Sequence, residues 1–405
     1  MKILLVLAHF DRHKWDSLTD QAWNIARLLT ASGEAQCAIA AVRAAGEPAL
    51  EVVKNVTIRR FSARYSLLAR LRDLFFRGNS GRTELPGLEI YLKKNRFDLV
   101  HVMTPDWLCA ATVRMAAEQN IPCLVTCRSE EFKTFDAAVK QNRQVGDLSS
   151  FSKFFDKYAS GLKRADRIFC TDKRLFSALN GKVDKEHLLS WSAGVDCEYF
   201  AKPSTVDFRK IYQLPPNSLL LLTVGHISES KNQKMLLEIV SLLKRRGWNC
   251  QLLVLGWAEN EEYFKEFNNY IAEHKLNNTV KVIPGLPPGD ERFRAAYQTA
   301  SLVLLPARFE VSASAVLEAW SAGVPVVASP AGSGGEIITD KVTGRLVPVR
   351  DFQEWVSCCE ELLNDRNRKE LEKMRSSARI EAKKYAWRER LNELLNIYKD
   401  VINNK

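Results

Sequence analysis

Short runs of Val, Ile and Leu alternate with stretches of helical spacing along the chain, the pattern of an α/β protein with parallel sheets. In the first half the runs predict strands at Ile3–Leu7, Gln36–Val42, Val56–Phe61, Asp98–Val102, Cys123–Thr126 and Arg167–Cys170. Helical segments fall between them, notably Leu18–Ala31 and Leu108–Gln119. The pattern starts afresh after Ala193–Pro203 (AGVDCEYFAKP), with strands predicted at Leu219–Val224, Leu252–Gly256, Val280–Ile283, Leu302–Leu305 and Pro325–Ser329. The runs are continuous rather than alternating, so both faces of each sheet should be covered. Two doubly wound, Rossmann-like domains follow, 1–200 and 201–384, joined near Gly194–Thr205. A charged helical tail over 385–405 is open to crossing back to the first domain.

Bulk properties add to this picture at three points. A chain of 405 residues is too long for one ordinary core, which agrees with two domains. The net charge of +11 calls for an anionic partner, whether a phosphate-rich ligand, an acidic membrane or nucleic acid. The nine cysteines are odd in number, contain no CxxC pair and sit mostly in apolar surroundings, so buried reduced thiols are expected rather than zinc or disulfides. The opening MKILLVLAHFDRHKW reads as a buried first strand, not a signal peptide, and no run approaches the ~20 apolar residues of a membrane span. A cytoplasmic protein is expected.

In doubly wound sheets ligands bind beyond the carboxyl ends of strands, so the strand-to-helix turns carry the candidate chemistry. Three turns of the second domain qualify. The first, Gly225–Asn232 (GHISESKN), has a glycine for a sharp turn and Lys231 near the start of the next helix, where a cation reinforces the positive helix end for a phosphate. A solvated surface lysine is the plainer alternative. In the second, FEVSASAVLEAW from Phe309, Ser312 or Ser314 can cap a helix whose free N–H groups suit phosphate oxygens. Ser312, Ala313, Ser314 and Ala315 are small enough for close approach of a ligand. Glu310 lies in the turn, where it can accept hydrogen bonds from ligand hydroxyls. Glu318 sits in an apolar helical stretch and needs donors, either vicinal ribose hydroxyls or an Arg or Lys. The third turn, Pro330–Glu336 (PAGSGGE), has three glycines and reads equally as a close-approach loop or a flexible one.

Phe309–Pro348, with Glu310 and Glu318 eight positions apart, resembles the E-x7-E signature of retaining glycosyltransferases of the family 4 type. Four further segments extend the resemblance in the right order: Phe97–Trp107, Ala165–Leu175, Ser192–Phe200 and the Gly225–Asn232 turn. The resemblance implies the GT-B architecture, two Rossmann-like domains facing across a cleft that closes on the donor. It implies that Glu310 holds hydroxyls of the donor sugar and Glu318 the ribose, while Lys231 and the helix start at Ser312–Ala315 neutralise the departing diphosphate. It also implies front-face attack without an enzyme nucleophile, no metal and no cofactor beyond the nucleotide-sugar donor. The chain departs from the family at His226, where an arginine is usual, at Val311–Ala313 in place of Gly-Phe-Gly, and at His9–Ser17 in place of a Gly-Gly loop. It departs again at Arg128–Ser129 in place of His-Gly, where Arg128 cannot act as a base but could bind the diphosphate and compensate for His226.

The segment Ile58–Arg82 carries seven arginines and one aspartate, with apolar residues at helical spacing. It reads either as an interfacial helix on anionic lipid, through Arg59–Arg82, or as an amphipathic helix packed on its own domain. No module for nucleic-acid reading is present. The expectation is a retaining, metal-independent glycosyltransferase that moves a hexose-type sugar from a UDP or GDP donor to a glycan or lipid-linked acceptor, peripheral to the inner membrane face. Its site residues would be Gly225, His226, Lys231, Glu310, Ser312, Ala313, Ser314, Glu318 and Arg128. Two alternatives are a degenerate sugar-nucleotide or glycan-binding module and a same-fold epimerase, which would need no acceptor.

Overall fold

The computed structural model describes residues 1–11, 16–65, 83–105, 107–128, 161–286, 289–309 and 312–405. Two compact units divide the chain. Met1–Asp11, Leu18–Trp191 and Leu391–Lys405 form the first, and Ser192–Arg390 the body of the second.

In chain order the strands of the first unit are β1 (Lys2–Leu7), β2 (Gln36–Val42), β3 (Leu50–Val53), β4 (Val56–Phe61), β5 (Arg64–Tyr65), β6 (Thr83–Glu84), β7 (Leu99–Val102), β8 (Cys123–Cys127), β9 (Arg167–Cys170) and β10 (Leu188–Ser190). Eight of them form one sheet in the order β10-β9-β8-β7-β1-β2-β4-β3. Its pairings are parallel except for β3, which runs antiparallel to β4 as a short edge strand. β5 and β6 form a separate two-stranded ribbon. β1 is buried from Ile3 to Leu7, because helices cover both sheet faces. His101 in β7 is among the polar residues buried in this sheet and has no exposed surface. Its Nδ1 lies 2.7 Å from the Tyr398 hydroxyl and its Nε2 2.8 Å from Thr126 Oγ1, so both ring nitrogens are partnered. Tyr398 belongs to the last helix, Trp387–Asn403, whose final turns pack in this unit, and Lys405 beyond it pairs with Asp166 at 2.9 Å.

The second unit contains β11 (Leu219–Val224), β12 (Cys250–Leu255), β13 (Val280–Ile283), β14 (Leu302–Leu305), β15 (Val326–Ala328) and β16 (Arg345–Leu346). They form an all-parallel sheet in the order β13-β12-β11-β14-β15-β16. The chain moves outward from β11 through β12 to β13, then returns to the other side of β11 for β14. That reversal makes the β11/β14 pair a topological switch point, and in such sheets ligands bind beyond the carboxyl ends of the strands there. The same reversal occurs in the first sheet between β1 and β7.

Five short strands escape the hydrophobic pattern, the two-residue β5 and β6 among them. β3, β10 and β16 are two to four residues long, and β3 alternates between exposed and half-buried positions, so none makes an apolar run. Eight of the nine cysteines are buried and Cys197 is half-buried. Burial pushes the Cys37 and Cys170 thiols up to about 12, which keeps them protonated and unreactive at neutral pH. Among the described residues no helix is long and apolar enough to cross a membrane.

Candidate functional site

The turns that follow β11 and β14 flank the switch point of the second sheet. Gly225, at the end of β11, has φ of +131°, a conformation open to glycine and strained for other residues. Beside it, a Cβ on Gly256 would lie 1.9 Å from the Gly225 carbonyl oxygen, so the turns after β11 and β12 can lie side by side only with glycine there. Two backbone bonds then zip them together: Ile227 N–H donates to Trp257 O at 2.8 Å and Glu259 N–H to Ile227 O at 3.1 Å. The buried Gln233 closes the turn with both ends of its amide. Its Nε2 donates to the His226 carbonyl at 2.8 Å, and its Oε1 accepts from Ser228 N–H at 3.3 Å.

This scaffold presents Lys231, half-buried, one residue before Asn232 in the left-handed conformation that opens the helix Gln233–Arg245. The turn after β14 is stitched to it across the switch point. Arg308 N–H donates to Ser230 O at 2.8 Å, and Asn232 Nδ2 donates to Pro306 O at 3.3 Å. Gly225, His226 and Lys231 thus lie on a turn stitched to the segment that leads to Ser312, Ala313 and Ser314.

Ser312 occupies the N-cap position of the helix Ala313–Ala322 without a side-chain capping bond. Its first turn is lined by half-buried Ser312 and Ser314 and buried Ala313 and Ala315. Small side chains at a helix N-terminus leave room for oxygen ligands of its N–H groups. Glu318, two turns along, is half-buried and accepts a 2.6 Å hydrogen bond from the Tyr297 hydroxyl through Oε2. Neither donor class expected from sequence, ribose or an Arg/Lys, anticipates that phenol. Burial first, and the neighbouring Glu318 charge second, hold the Tyr297 ionisation well above the usual phenol range, so it stays a donor. Glu310 lies outside the described residues.

The third turn is neither a loose loop nor an open one. Gly332–Ile337 is a short helix with Gly332, Ser333, Gly334 and Gly335 buried, and a Cβ on Gly335 would meet the Pro330 carbonyl carbon at 2.7 Å. Gly335 serves close packing of the chain on itself, and Gly332 takes a left-handed φ of +66°. The turn is held to its neighbour by Ser329 Oγ, which donates to the Ala307 carbonyl.

Arg128 is half-buried in the first unit, one residue past the carboxyl end of β8. Of the basic segment, most of the arginines that would face lipid lie outside the described residues or have no described side chain. The two that can be described are both engaged with protein. Arg60 is buried and its Nε and Nη2 donate to the Phe10 carbonyl at 3.3 and 3.1 Å, with Glu51 3.2 Å from Nη1. Arg59 stacks over the Tyr91 ring, 4.9 Å from its centroid. Arg60 is therefore removed from any membrane-facing set, because its charge is spent on fixing the turn after β1.

Among the described residues no cluster of three or more His, Cys, Asp or Glu is arranged to hold a metal ion. Sequence reasoning missed Gln233 and Tyr297. Tyr297 acts across a gap in the chain that no local spacing encodes, whereas Gln233 bonds residues five and seven positions before it.

The two switch-point sheets define an α/β protein of the double-Rossmann class. Sequence comparison sharpens the class. The pattern described as "Glycosyl transferases group 1" matches residues 205–381 and that described as "Glycosyltransferase Family 4" matches residues 21–199. The chain belongs to the glycosyltransferases of the family 4 type and has their GT-B fold.

A D-inositol 3-phosphate glycosyltransferase of Saccharomonospora viridis is 29% identical over 218 residues, covering 52% of this chain and 49% of that protein. The match thus spans about half the length of that relative. A GDP-mannose-dependent alpha-mannosyltransferase of Corynebacterium glutamicum is 24% identical over 323 residues, 78% of this chain and 71% of that one. Among solved structures, sucrose-phosphate synthase from Thermosynechococcus elongatus superposes with a TM-score of 0.80 at 18% identity over the whole of both chains. Anabaena HepE in complex with UDP and glucose gives 0.73 at 15% identity, over 99% of this chain and all of that one.

Proposed function

We propose that the protein is a retaining, metal-independent glycosyltransferase that moves a hexose-type sugar from a UDP or GDP donor to a hydroxyl of a glycan or lipid-linked acceptor. The observation that carries this reading is the β11/β14 switch point, where the Lys231 turn and the small-residue start of the helix Ala313–Ala322 lie side by side with Glu318 on that helix. A diphosphate seated there would meet a cation and a positive helix end. Both interactions strengthen as negative charge builds on the leaving group, which is the condition for lowering a barrier rather than tightening ground-state binding. Glu318 would take the ribose and Glu310 the donor sugar. With the leaving phosphate oxygen accepting the acceptor's proton on the front face, no enzyme nucleophile is needed. Arg128 would add charge to the diphosphate. The HepE complex with UDP-glucose and the GDP-mannose-dependent relative support a nucleoside diphosphate sugar as donor.

The test is turnover of a panel of nucleotide sugars, with the product's anomeric configuration read by NMR. Lys231→Ala and Glu310→Ala should each abolish turnover, and full activity in both variants would refute the assignment. An inverted product would refute retention. His226, where the family carries an arginine, favours a second reading as a non-catalytic sugar-nucleotide module. Binding of a nucleotide sugar with neither hydrolysis nor transfer would select it. Attachment to the inner membrane face through Arg59–Arg82 would show as co-sedimentation with liposomes that rises with anionic lipid content, and indifference to that content would remove it.

A further inference from the structure

Glu318 lies in a stretch, AVLEAW, whose neighbours Val316, Leu317, Ala319 and Trp320 are all buried. A carboxylate in such a place needs a donor. That donor comes from another helix, Glu291–Thr299, through Tyr297, 21 residues earlier in the chain. A hydrogen bond of 2.6 Å to an ionised acceptor is of the short, strong kind.

The phenol cannot swing away. Tyr297 has no exposed surface, and its ring is boxed edge-on by Phe200 (centroids 5.5 Å apart, 89°) and Phe293 (5.5 Å, 83°). Phe200 is itself pinned, since its carbonyl accepts from Gln298 Nε2 at 2.7 Å on the same helix as Tyr297. The helix is also clamped by Arg294, which is buried, pairs with Glu291 at 2.7 Å and donates to the Tyr199 carbonyl at 3.2 Å. A glutamate's terminal torsion is broad when nothing holds it. Here a rigid donor on Oε2 sets the plane of the carboxylate.

We propose that Tyr297 is a positioning residue, whose hydroxyl orients the Glu318 carboxylate toward the ribose hydroxyls of the donor nucleotide and so sets discrimination between ribo- and deoxyribonucleotides. The proposal rests on the reading of Glu318 as the ribose clamp. Tyr297 touches no ligand, because it is sealed from solvent. Its effect is to align the acceptor oxygens in advance, which raises the penalty for a sugar that leaves them unpaired. A site built to hydrogen-bond a hydroxyl rejects the analogue lacking it far more strongly than a loosely held group does.

The experiment compares calorimetric affinities for UDP with 2′-deoxy- and 3′-deoxy-UDP, and for GDP with the same deoxy forms, on the full chain. The unmodified protein should prefer the ribonucleotide by about tenfold or more for the base it accepts. Tyr297→Phe keeps the ring and its packing, so it should fold normally yet lose most of that ratio. Glu318→Gln should lose it as well. A parallel fall of ribo and deoxy affinities in Tyr297→Phe, or an unchanged ratio there while Glu318→Gln loses its own, would overturn the positioning role and leave the ribose clamp standing. An unchanged ratio in Glu318→Gln, or no binding of either UDP or GDP to the unmodified protein, would overturn the clamp and the positioning role together.

Discussion

His101 offers a prediction whose size follows from the structure. The imidazole is fully buried in β7, and its contacts are neutral: the Tyr398 and Thr126 hydroxyls and the Phe169 ring at 5.4 Å. With no carboxylate among its described contacts, desolvation pushes the His101 pKa down to about 3. An exposed histidine in the unfolded chain titrates near 6.5, so between these values the unfolded state binds more protons and stability rises with pH. The neutral ring's contribution is therefore whole above about pH 6.5 and is lost as pH falls toward the folded value.

From pH 7.5 to pH 5 the proton-linkage integral is RT ln[(1 + 10^1.5)/(1 + 10^−1)], or about 2 kcal/mol. At pH 5 the folded group is still almost wholly neutral, so this figure depends on the unfolded pKa and not on the exact folded one. His101→Asn removes the titration and should cost stability at every pH. Its urea-unfolding stability should fall by about 2 kcal/mol less than the parent's between pH 7.5 and pH 5, for the transition of the first unit, because all other groups titrate alike in both proteins. Parallel pH dependence in parent and variant would refute the reasoning and would mean that the imidazolium finds compensation in the folded state.

Gly256→Ala should destabilise the second unit by about 1–3 kcal/mol or more, because the new methyl would have to displace the Gly225 carbonyl rather than a flexible side chain. It should also weaken nucleotide binding, and a melting temperature and UDP or GDP affinity equal to the parent's would contradict the backbone clash. Arg60→Met should cost about 1–3 kcal/mol by stranding the buried bonds to Phe10, read as a lower urea midpoint for the first unit. Because Arg60 is engaged with protein, the same change should leave any anionic-lipid binding unaltered. Exhaustive treatment with EDTA should leave donor turnover unchanged, whereas loss restored by Mg²⁺ would show that Lys231 and the helix end do not suffice for the diphosphate.

The frame was legible where local physics dominates. Leu219–Val224, Val280–Ile283 and Leu302–Leu305 form strands over the residues that the apolar runs predict, because strands of a sheet covered on both faces are mostly apolar; Lys281 stays exposed on the edge strand β13. β3 and β16 stayed hidden because an edge strand has one neighbour and can remain part-exposed. PAGSGGE was ambiguous for a related reason. Glycines permit both a loose loop and tight packing, and only the neighbouring Pro330 decides for packing.

The candidate site divides along the same line. Gly225, Lys231, the Ser312–Ala315 helix start and Glu318 could be named from the chain, since turn chemistry and motif spacing are local. The order β13-β12-β11-β14 could not, and it is that order which brings the first and second turns to one switch point. Likewise the chain alone shows that Glu318 needs a donor, while packing of the helix Glu291–Thr299 on Ala313–Ala322 decides that Tyr297 supplies it. His101 has the same lesson on the opposite unit: the strand pattern makes it buried, but the returning helix with Tyr398 makes it satisfied. The sequence by itself determined the strands, the turns and the residue types the turns present, because those depend on neighbours in the chain. Tertiary structure decided the partners of each buried polar group, because a hydrogen bond between residues 21 or 297 positions apart exists only once the layers have closed.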